Sequence, residues 1–326
     1  MEKINWGIIG CGNVCEVKSG PAFSKIEHSN LVAVMRRNKE KVEDFAHRHN
    51  VPKAYTDATA LINDPDINAI YIATPPNMHL PYTIEVALAG KAVYVEKPMA
   101  RTFGECKKMI AICEKYQVPL FVAYYRRALP YFLKVKELLH ASAIGTPTSV
   151  LIEFLSPPKP DDFKTEHDNW RTKPDISGGG YFHDLASHQL DIMSFLLGDI
   201  TYATGDSSDS IARYNAPDIV SASFGCSTGV IGSGLWNFVA AENQRKDLVT
   251  IHGTEGSIQF SCFDGNAPIV LKTNSGREEF NLPYPVHVQQ PLIQSIVNDL
   301  RGIGKCASTG ATGSQANWVI DQILKA

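Results

Sequence analysis

The sequence predicts an α/β domain built on a parallel sheet, followed by an α+β domain with a large, mostly antiparallel open sheet. Three observations predict this. A glycine turn, Gly10-Cys11-Gly12, directly follows an apolar run at the start of the chain. Through the first third, short apolar runs alternate with helical patterns, as βαβ units require. From Ile219 onward, strand-like runs follow one another with only turns between them, which favours antiparallel pairing. The boundary is placed at 124/125, giving domains over 1–124 and 125–326, with the last helix free to pack back on the first domain.

In order, Ile4–Ile9 reads as a strand, Leu31–Met35 as a second and Lys39–His49 as a helix. Ala69–Ala73, Ala92–Val95 and Pro119–Tyr124 are further short β-rich runs, with helical patterns at Leu80–Ala89 and Glu105–Tyr116 between them. Runs this apolar suit a sheet buried on both faces. After residue 125 the pattern changes. Helices are predicted over Tyr131–Ser142 and, past the break Ser177-Gly178-Gly179-Gly180, over Phe182–Leu197. Strands are predicted at Ile219–Phe224, Val230–Phe238, Leu248–His252, Ser257–Phe260 and Ile269–Lys272, and a helix over Ser314–Leu324 closes the chain.

Composition narrows the function classes. Of 326 residues, 31 are Lys or Arg and 34 Asp or Glu, a formal net charge of -3. A nucleic-acid surface shows a basic excess, so no nucleic-acid partner is expected. No apolar run approaches the roughly 18 residues of a membrane span, and the first residues lack a signal peptide's pattern. Seven scattered cysteines without a C-x-x-C pair suggest neither a disulfide framework nor a zinc site, and no metal is expected. The expected setting is the cytoplasm. Gly225-Cys226-Ser227-Thr228-Gly229 matches the G-x-S-x-G nucleophile pattern, but it lies between two predicted strands. That motif needs a strand–turn–helix context, so a hairpin turn is expected instead.

The glycine turn carries the first chemical reading. In G-x-G-x-x-G the first glycine makes the tight turn, the second admits a pyrophosphate to the backbone, and the third allows close helix–strand packing. Gly10, Gly12, Asn13 and Val14 would thus line a dinucleotide, its phosphates against amide groups and the positive end of a helix dipole. Cys15 stands in the third glycine's place. The second strand ends Met35-Arg36-Arg37-Asn38 with no acid at its tip. Two guanidiniums there suit a 2′-phosphate, so Arg36 and Arg37 favour NADP(H) over NAD(H). A solvated basic turn is the alternative.

Several segments in order resemble the glucose–fructose oxidoreductase/inositol dehydrogenase/MocA (Gfo/Idh/MocA) family. They are Gly10-Cys11-Gly12, Thr74-Pro75-Pro76-Asn77-Met78-His79, Glu96-Lys97-Pro98, Trp170-Arg171 and Gly178-Gly179-Gly180-Tyr181-Phe182-His183-Asp184-Leu185-Ala186-Ser187-His188-Gln189-Leu190-Asp191. The resemblance implies a Rossmann dinucleotide-binding domain and an open-sheet domain that binds substrate and oligomerises. It implies an NAD(P)-dependent oxidoreductase of sugars, polyols and related hydroxy compounds. Lys97 matches the family lysine near nicotinamide and substrate; Asp184 and His188 match the acid and histidine beside the reacting carbon. Thr74, Pro75, Asn77, His79, Glu96, Trp170 and Arg171 match positions that line the cofactor. Tyr125 departs from the asparagine of many members, and with Arg126 it is taken as a substrate-side candidate. A homodimer or higher homo-oligomer and a small-molecule substrate are the implied partners.

Hydride transfer between carbon and nicotinamide needs a matching proton transfer at oxygen. Histidine carries protons near neutral pH, and a carboxylate beside it orients the ring. Asp184, His188 and Asp191 fall on one face of a helix, with Leu185, Ile192 and Phe195 largely elsewhere. Lys97 could stabilise a developing alkoxide. The same polar residues could instead form a solvated face or an interface network, and His79 could cap a helix. Two other functions share the fold: a glycoside hydrolase that retains its dinucleotide, and a non-catalytic cofactor-binding regulator. The regulator predicts loss of the lysine or histidine, and both are present.

Overall fold

The computed structural model describes residues 2–163, 169–210 and 215–325. The chain divides into two compact units, Met1–Ala128 with Pro285–Ser314, and Leu129–Tyr284 with Gln315–Ala326. The first boundary thus falls four residues beyond the sequence-based one. A segment from the second half of the chain also joins the first unit.

The first unit opens with β1 (Ile4–Ile9), α1 (Asn13–Val17), β2 (Ser29–Met35), α2 (Lys39–Arg48), β3 (Lys53–Tyr55), α3 (Ala58–Ile62), β4 (Ala69–Ile72), α4 (His79–Leu88), β5 (Ala92–Val95), α5 (Phe103–Lys115) and β6 (Leu120–Val122). The strands form one parallel sheet in the order β3-β2-β1-β4-β5-β6. β4 and β5 are buried at every residue, the signature of a sheet covered on both faces. Side chains start the helices. Asn38 accepts from the Lys41 amide ahead of α2, and Thr102 from the Glu105 amide ahead of α5.

The second unit contains α6 (Pro130–His140), β7 (Pro147–Leu155), α7 (Pro174–Ser177), α8 (Ser187–Leu197), β8 (Ile200–Ser208), β9 (Ile219–Cys226), β10 (Ile231–Asn237), β11 (Lys246–Gly253), β12 (Gly256–Phe260), β13 (Ile269–Thr273) and β14 (Gly276–Phe280). Its sheet runs β14-β13-β12-β11-β7-β10-β9-β8, antiparallel except where β7 meets β10. β9 and β10 form the expected hairpin across 227–230, which removes the nucleophile-elbow reading. Val150, Ile152, Val220, Ala222, Phe224 and Trp236 are buried on one face of this sheet. The alternate residues Leu151, Tyr202, Ile231 and Leu235 are exposed on the other.

Pro285–Ser314 carries α9 (Gln290–Leu300), which buries Leu292, Ile293, Ile296 and Val297 in the first unit. The Ser308 carbonyl accepts from the Val122 amide and the Ser308 hydroxyl donates to the Val122 carbonyl, so this segment covers the β6 edge. The last helix, α10 (Gly310–Ile323), begins in the first unit, and its remaining residues belong to the second. Among the described residues no helix is long and apolar enough to cross a membrane. All seven cysteines are buried, and none is in a disulfide.

Candidate active site

Strand order in the parallel sheet reverses between β1 and β4, and the carboxyl ends of such strands form the ligand crevice of an open α/β sheet. Gly10 stands there with φ +89°. A Cβ on it would lie 2.9 Å from Thr74 Cγ2 and 3.1 Å from the Ala73 carbonyl, so only glycine lets the two strand ends meet. Gly12 is different. A Cβ there would meet nothing nearer than Gly10 O at 3.9 Å, which leaves its backbone open to a ligand. Asn13 is exposed and Val14 half-buried beside it. Thr74 Oγ1 is buried with no hydrogen-bond partner among the described residues. An open backbone face beside an unmet hydroxyl fits the phosphate end of a dinucleotide.

Two details change the sequence-based picture. First, α1 has only five residues, so the turn's own amides, more than a helix dipole, must meet an anion. Second, the close approach expected of the third glycine has moved. Cys15 is fully buried, and a Cβ on Gly20 would stand 2.2 Å from the Cys15 carbonyl oxygen. Burial pushes the Cys11 thiol up to about 11 and raises Cys15 as well, so neither is a nucleophile near neutral pH.

After β2, Arg36 is half-buried with Nη1 3.5 Å from the Cys11 carbonyl, and Arg37 is exposed. After β4, Pro75 and Asn77 are half-buried in a tight turn. His79 is fully buried. Its Nε2 lies 2.8 Å from the Thr74 carbonyl and its Nδ1 3.1 Å from those of Pro98 and Met99. His79 therefore packs between the carbonyls of the turns after β4 and β5, and a neutral ring donates its single N–H to one side only; it neither caps α4 through its side chain nor presents a ring nitrogen to the crevice. At the end of β5, Lys97 is half-buried and precedes the cis Lys97–Pro98 bond. The Glu96 carboxylate turns inward. It accepts from the Tyr71 hydroxyl at 2.5 Å, the Gln289 amide at 2.6 Å and the Lys97 backbone N–H at 3.0 Å. Tyr125 and Arg126 are buried in the turn after β6, the guanidinium 4.9 Å from the ring centroid.

In the second unit, Arg171 Nε donates to Asp184 Oδ2 at 2.9 Å, and the Arg171 guanidinium lies 4.4 Å from the Trp170 ring centroid. Trp170 and Arg171 therefore belong to the unit of Asp184 and His188, not to the dinucleotide-binding unit. The helix expected over Phe182–Leu197 opens with a wide π turn, Phe182–Ala186, before α8 begins. Such insertions concentrate at functional sites because they re-aim side chains against the helical phase. Gly179 makes room for this turn, since a Cβ on it would stand 2.2 Å from His183 Nδ1.

The helix is buried on nearly all sides, its polar residues included. Asp184 is 7% exposed, His188 4% and Asp191 1%, whereas Leu185 and Phe195 are half-exposed. Ile192 is fully buried as well, so α8 packs on its apolar side and its polar side alike. Partners make the burial tolerable: Arg171 serves Asp184, and Trp236 Nε1 donates to Gln189 Oε1 at 2.7 Å. The His188 ring stands edge-on to Phe263, 6.0 Å between centroids. Among the described residues no group of three or more His, Cys, Asp or Glu could hold a metal ion. Gln289 is the residue that sequence reading passed over. Pro291 with the spacing Leu292, Ile293, Ile296, Val297 signals the helix that begins beside it.

Comparison with known proteins bears on the whole arrangement. Residues 4–124 match the oxidoreductase family with an NAD-binding Rossmann fold, and residues 132–259 match the GFO/IDH/MocA C-terminal domain. The chain is 46% identical over 297 residues to Oxidoreductase P35 of Formosa agariphila, covering 91% of this chain and 90% of that protein. It is 29% identical over 285 residues to trans-1,2-dihydrobenzene-1,2-diol dehydrogenase of Mus musculus, covering 86% and 80%. A levoglucosan dehydrogenase solved with NADH and levoglucosan shares the fold, with TM-score 0.85 at 23% identity, covering 99% of this chain and 96% of that one. With both of its domains matched and a relative this similar along nearly all of its length, the chain belongs to the GFO/IDH/MocA family of NAD-binding oxidoreductases.

Proposed function

We propose that this protein is an NADP(H)-preferring oxidoreductase that moves a hydride between nicotinamide and a carbinol or carbonyl carbon of a sugar, polyol or related compound. The observation that carries the reading is the buried polar helix. A folded chain does not bury Asp184, His188 and Asp191 on one element for packing alone, because desolvating such groups costs free energy. The relatives add to it: 1,5-anhydro-D-fructose reductase and D-apiose dehydrogenase also match this chain.

When bound, the nicotinamide gives or receives the hydride. The protein's residues do the rest. Gly10, Gly12 and Thr74 would hold the diphosphate end, and Arg36 and Arg37 would take the 2′-phosphate, with no acid at the tip of β2 to repel it. His188 accepts the hydroxyl proton in oxidation and returns it in reduction, while Lys97 stabilises the developing alkoxide. Asp184, ion-paired with Arg171, orients this chemistry, and Trp170 supplies a stacking face for a ring. The exposed stripe Leu151, Tyr202, Ile231 and Leu235 supports pairing of two copies through the open sheet. Buried cysteines outside any disulfide suit a reducing compartment such as the cytoplasm.

The test is NADP+-linked oxidation of a panel of aldoses, polyols and anhydro sugars. His188→Asn and Lys97→Met should each lower kcat on the best compound by about 100-fold, within the range for proton-transfer groups, while NADPH still binds. Full activity in both variants would overturn the assignment. Cofactor that co-purifies and shows no net turnover would point to the dinucleotide-retaining hydrolase instead.

A further inference from the structure

The Glu96 carboxylate and the Gln289 amide meet inside the first unit, from parts of the chain 193 residues apart. Gln289 is 1% exposed and all of its side-chain polar capacity is directed at the end of β5 and its neighbour β4. Its Oε1 accepts from the Tyr94 hydroxyl at 2.7 Å; its Nε2 donates to Glu96 Oε1 at 2.6 Å and lies 3.3 Å from the Tyr71 hydroxyl. Tyr71 and Tyr94 stack 4.7 Å apart, and burial raises both phenols well above their ordinary range, so they stay protonated donors. With both hydroxyls spent as donors, the amide has one satisfactory orientation, oxygen toward Tyr94 and nitrogen toward Glu96. The other carboxylate oxygen, Oε2, then accepts the Lys97 backbone N–H.

The same short segment also grips the glycine-turn helix. The Gln289 backbone N–H donates to the Lys18 carbonyl at 3.2 Å, and His287 Nδ1 lies 2.6 Å from the Val17 carbonyl. One brace therefore reaches the end of α1 and the backbone from which Lys97 projects.

We propose that Gln289 is a positioning residue for Lys97: its amide fixes the buried Glu96 carboxylate, and Glu96 fixes the lysine's peptide. This rests on the catalytic reading of Lys97 for its functional meaning, but the geometry it asserts can be measured without substrate or cofactor. Leucine at 289 keeps the bulk and removes both hydrogen-bonding ends. The Glu96 carboxylate then loses its amide donor, and the strand end loosens.

The test is trinitrophenylation of the Lys97 ε-amine in cofactor-free protein, followed by peptide mass spectrometry, with Lys39 as an internal reference. In Gln289→Leu, Lys97 should label several-fold faster relative to Lys39 than in the wild type. Tyr94→Phe removes only the hydroxyl that orients the amide and should give a smaller change of the same sign. It also serves if the leucine variant does not fold. NADPH affinity, set by the glycine turn and the two arginines after β2, should move less than twofold, and kcat on the best panel compound should fall roughly 10- to 100-fold, as for a group displaced by about 1 Å. A folded variant with unchanged Lys97 labelling overturns the proposal. If labelling changes but Lys97→Met retains full turnover, the brace stands and the catalytic reading of Lys97 fails.

Discussion

Arg171 and Asp184 form an ion pair in which the two residues are unequally exposed: the Asp184 side chain is 9% accessible and that of Arg171 40%. The carboxylate is thus committed to the interior while its partner keeps contact with water. The arginine pairs with a buried acid without being buried itself, and its guanidinium also stacks on Trp170.

Removing that partner is costly. Arg171→Leu should destabilise the protein by roughly 1–3 kcal/mol, the penalty for leaving a buried acceptor short of its donor. Arg171→Lys should recover part of this. Urea melts of the three proteins check it, and coincident midpoints would show that Asp184 does not depend on Arg171.

The two glycines of the cofactor turn should behave differently. Gly10→Ala places a Cβ at φ +89° against Thr74 and should cost roughly 1–3 kcal/mol in stability. Gly12→Ala meets nothing closer than 3.9 Å and should melt like the wild type. Its methyl group nevertheless occupies the open face, and dinucleotide affinity should fall about tenfold or more, a loss of 1.4 kcal/mol. Equal melting temperatures for the two variants would show that the strand ends do not need Gly10.

His79 predicts an acid-side instability. Burial holds its imidazole below the ordinary value, against the opposing pull of the surrounding carbonyls. A histidine lowered in the folded state binds its proton more readily when unfolded. Stability from this group is present above the ordinary histidine range and is lost as pH falls through that range toward the folded value. Tm should therefore fall between neutral pH and mildly acidic pH, and His79→Gln should flatten that slope. An identical slope in the variant would assign the acid limb to other groups.

The open face of the second sheet gives the oligomer prediction. Ile231→Lys with Leu235→Lys puts two charges into the apolar stripe and should shift sedimentation toward the monomer while leaving far-UV circular dichroism unchanged. An unaltered sedimentation coefficient would place any self-association elsewhere.

What could be read from the sequence follows from how locally each feature is encoded. Most strands of the first sheet are short and largely apolar, and Ile4–Ile9 and Ala92–Val95 coincide with their observed ends, whereas β3, three residues including Lys53, carries no such signal. The glycine turn and the strand-end lysine are local in the same sense. β7 was not legible: Pro147–Leu155 alternates buried with exposed side chains and includes Glu153, because one face of its sheet is open. β8, Ile200–Ser208, is polar on its open face for the same reason. The π turn that opens the polar helix, Phe182–Ala186, leaves no trace in residue spacing. Gln289 lies far from Glu96 in sequence, and only the folded sheet brings an ordinary glutamine against that carboxylate.

The most direct measurement is a titration of cofactor-stripped protein with NADPH and with NADH, followed by nicotinamide fluorescence. NADPH should bind at least about tenfold more tightly, 1.4 kcal/mol or more, and Arg36→Ala with Arg37→Ala should remove most of that difference. Equal affinity for the two would keep the fold and the enzyme class while retiring the role of the two arginines. Folded, stripped protein that binds neither would contradict the oxidoreductase reading at its foundation.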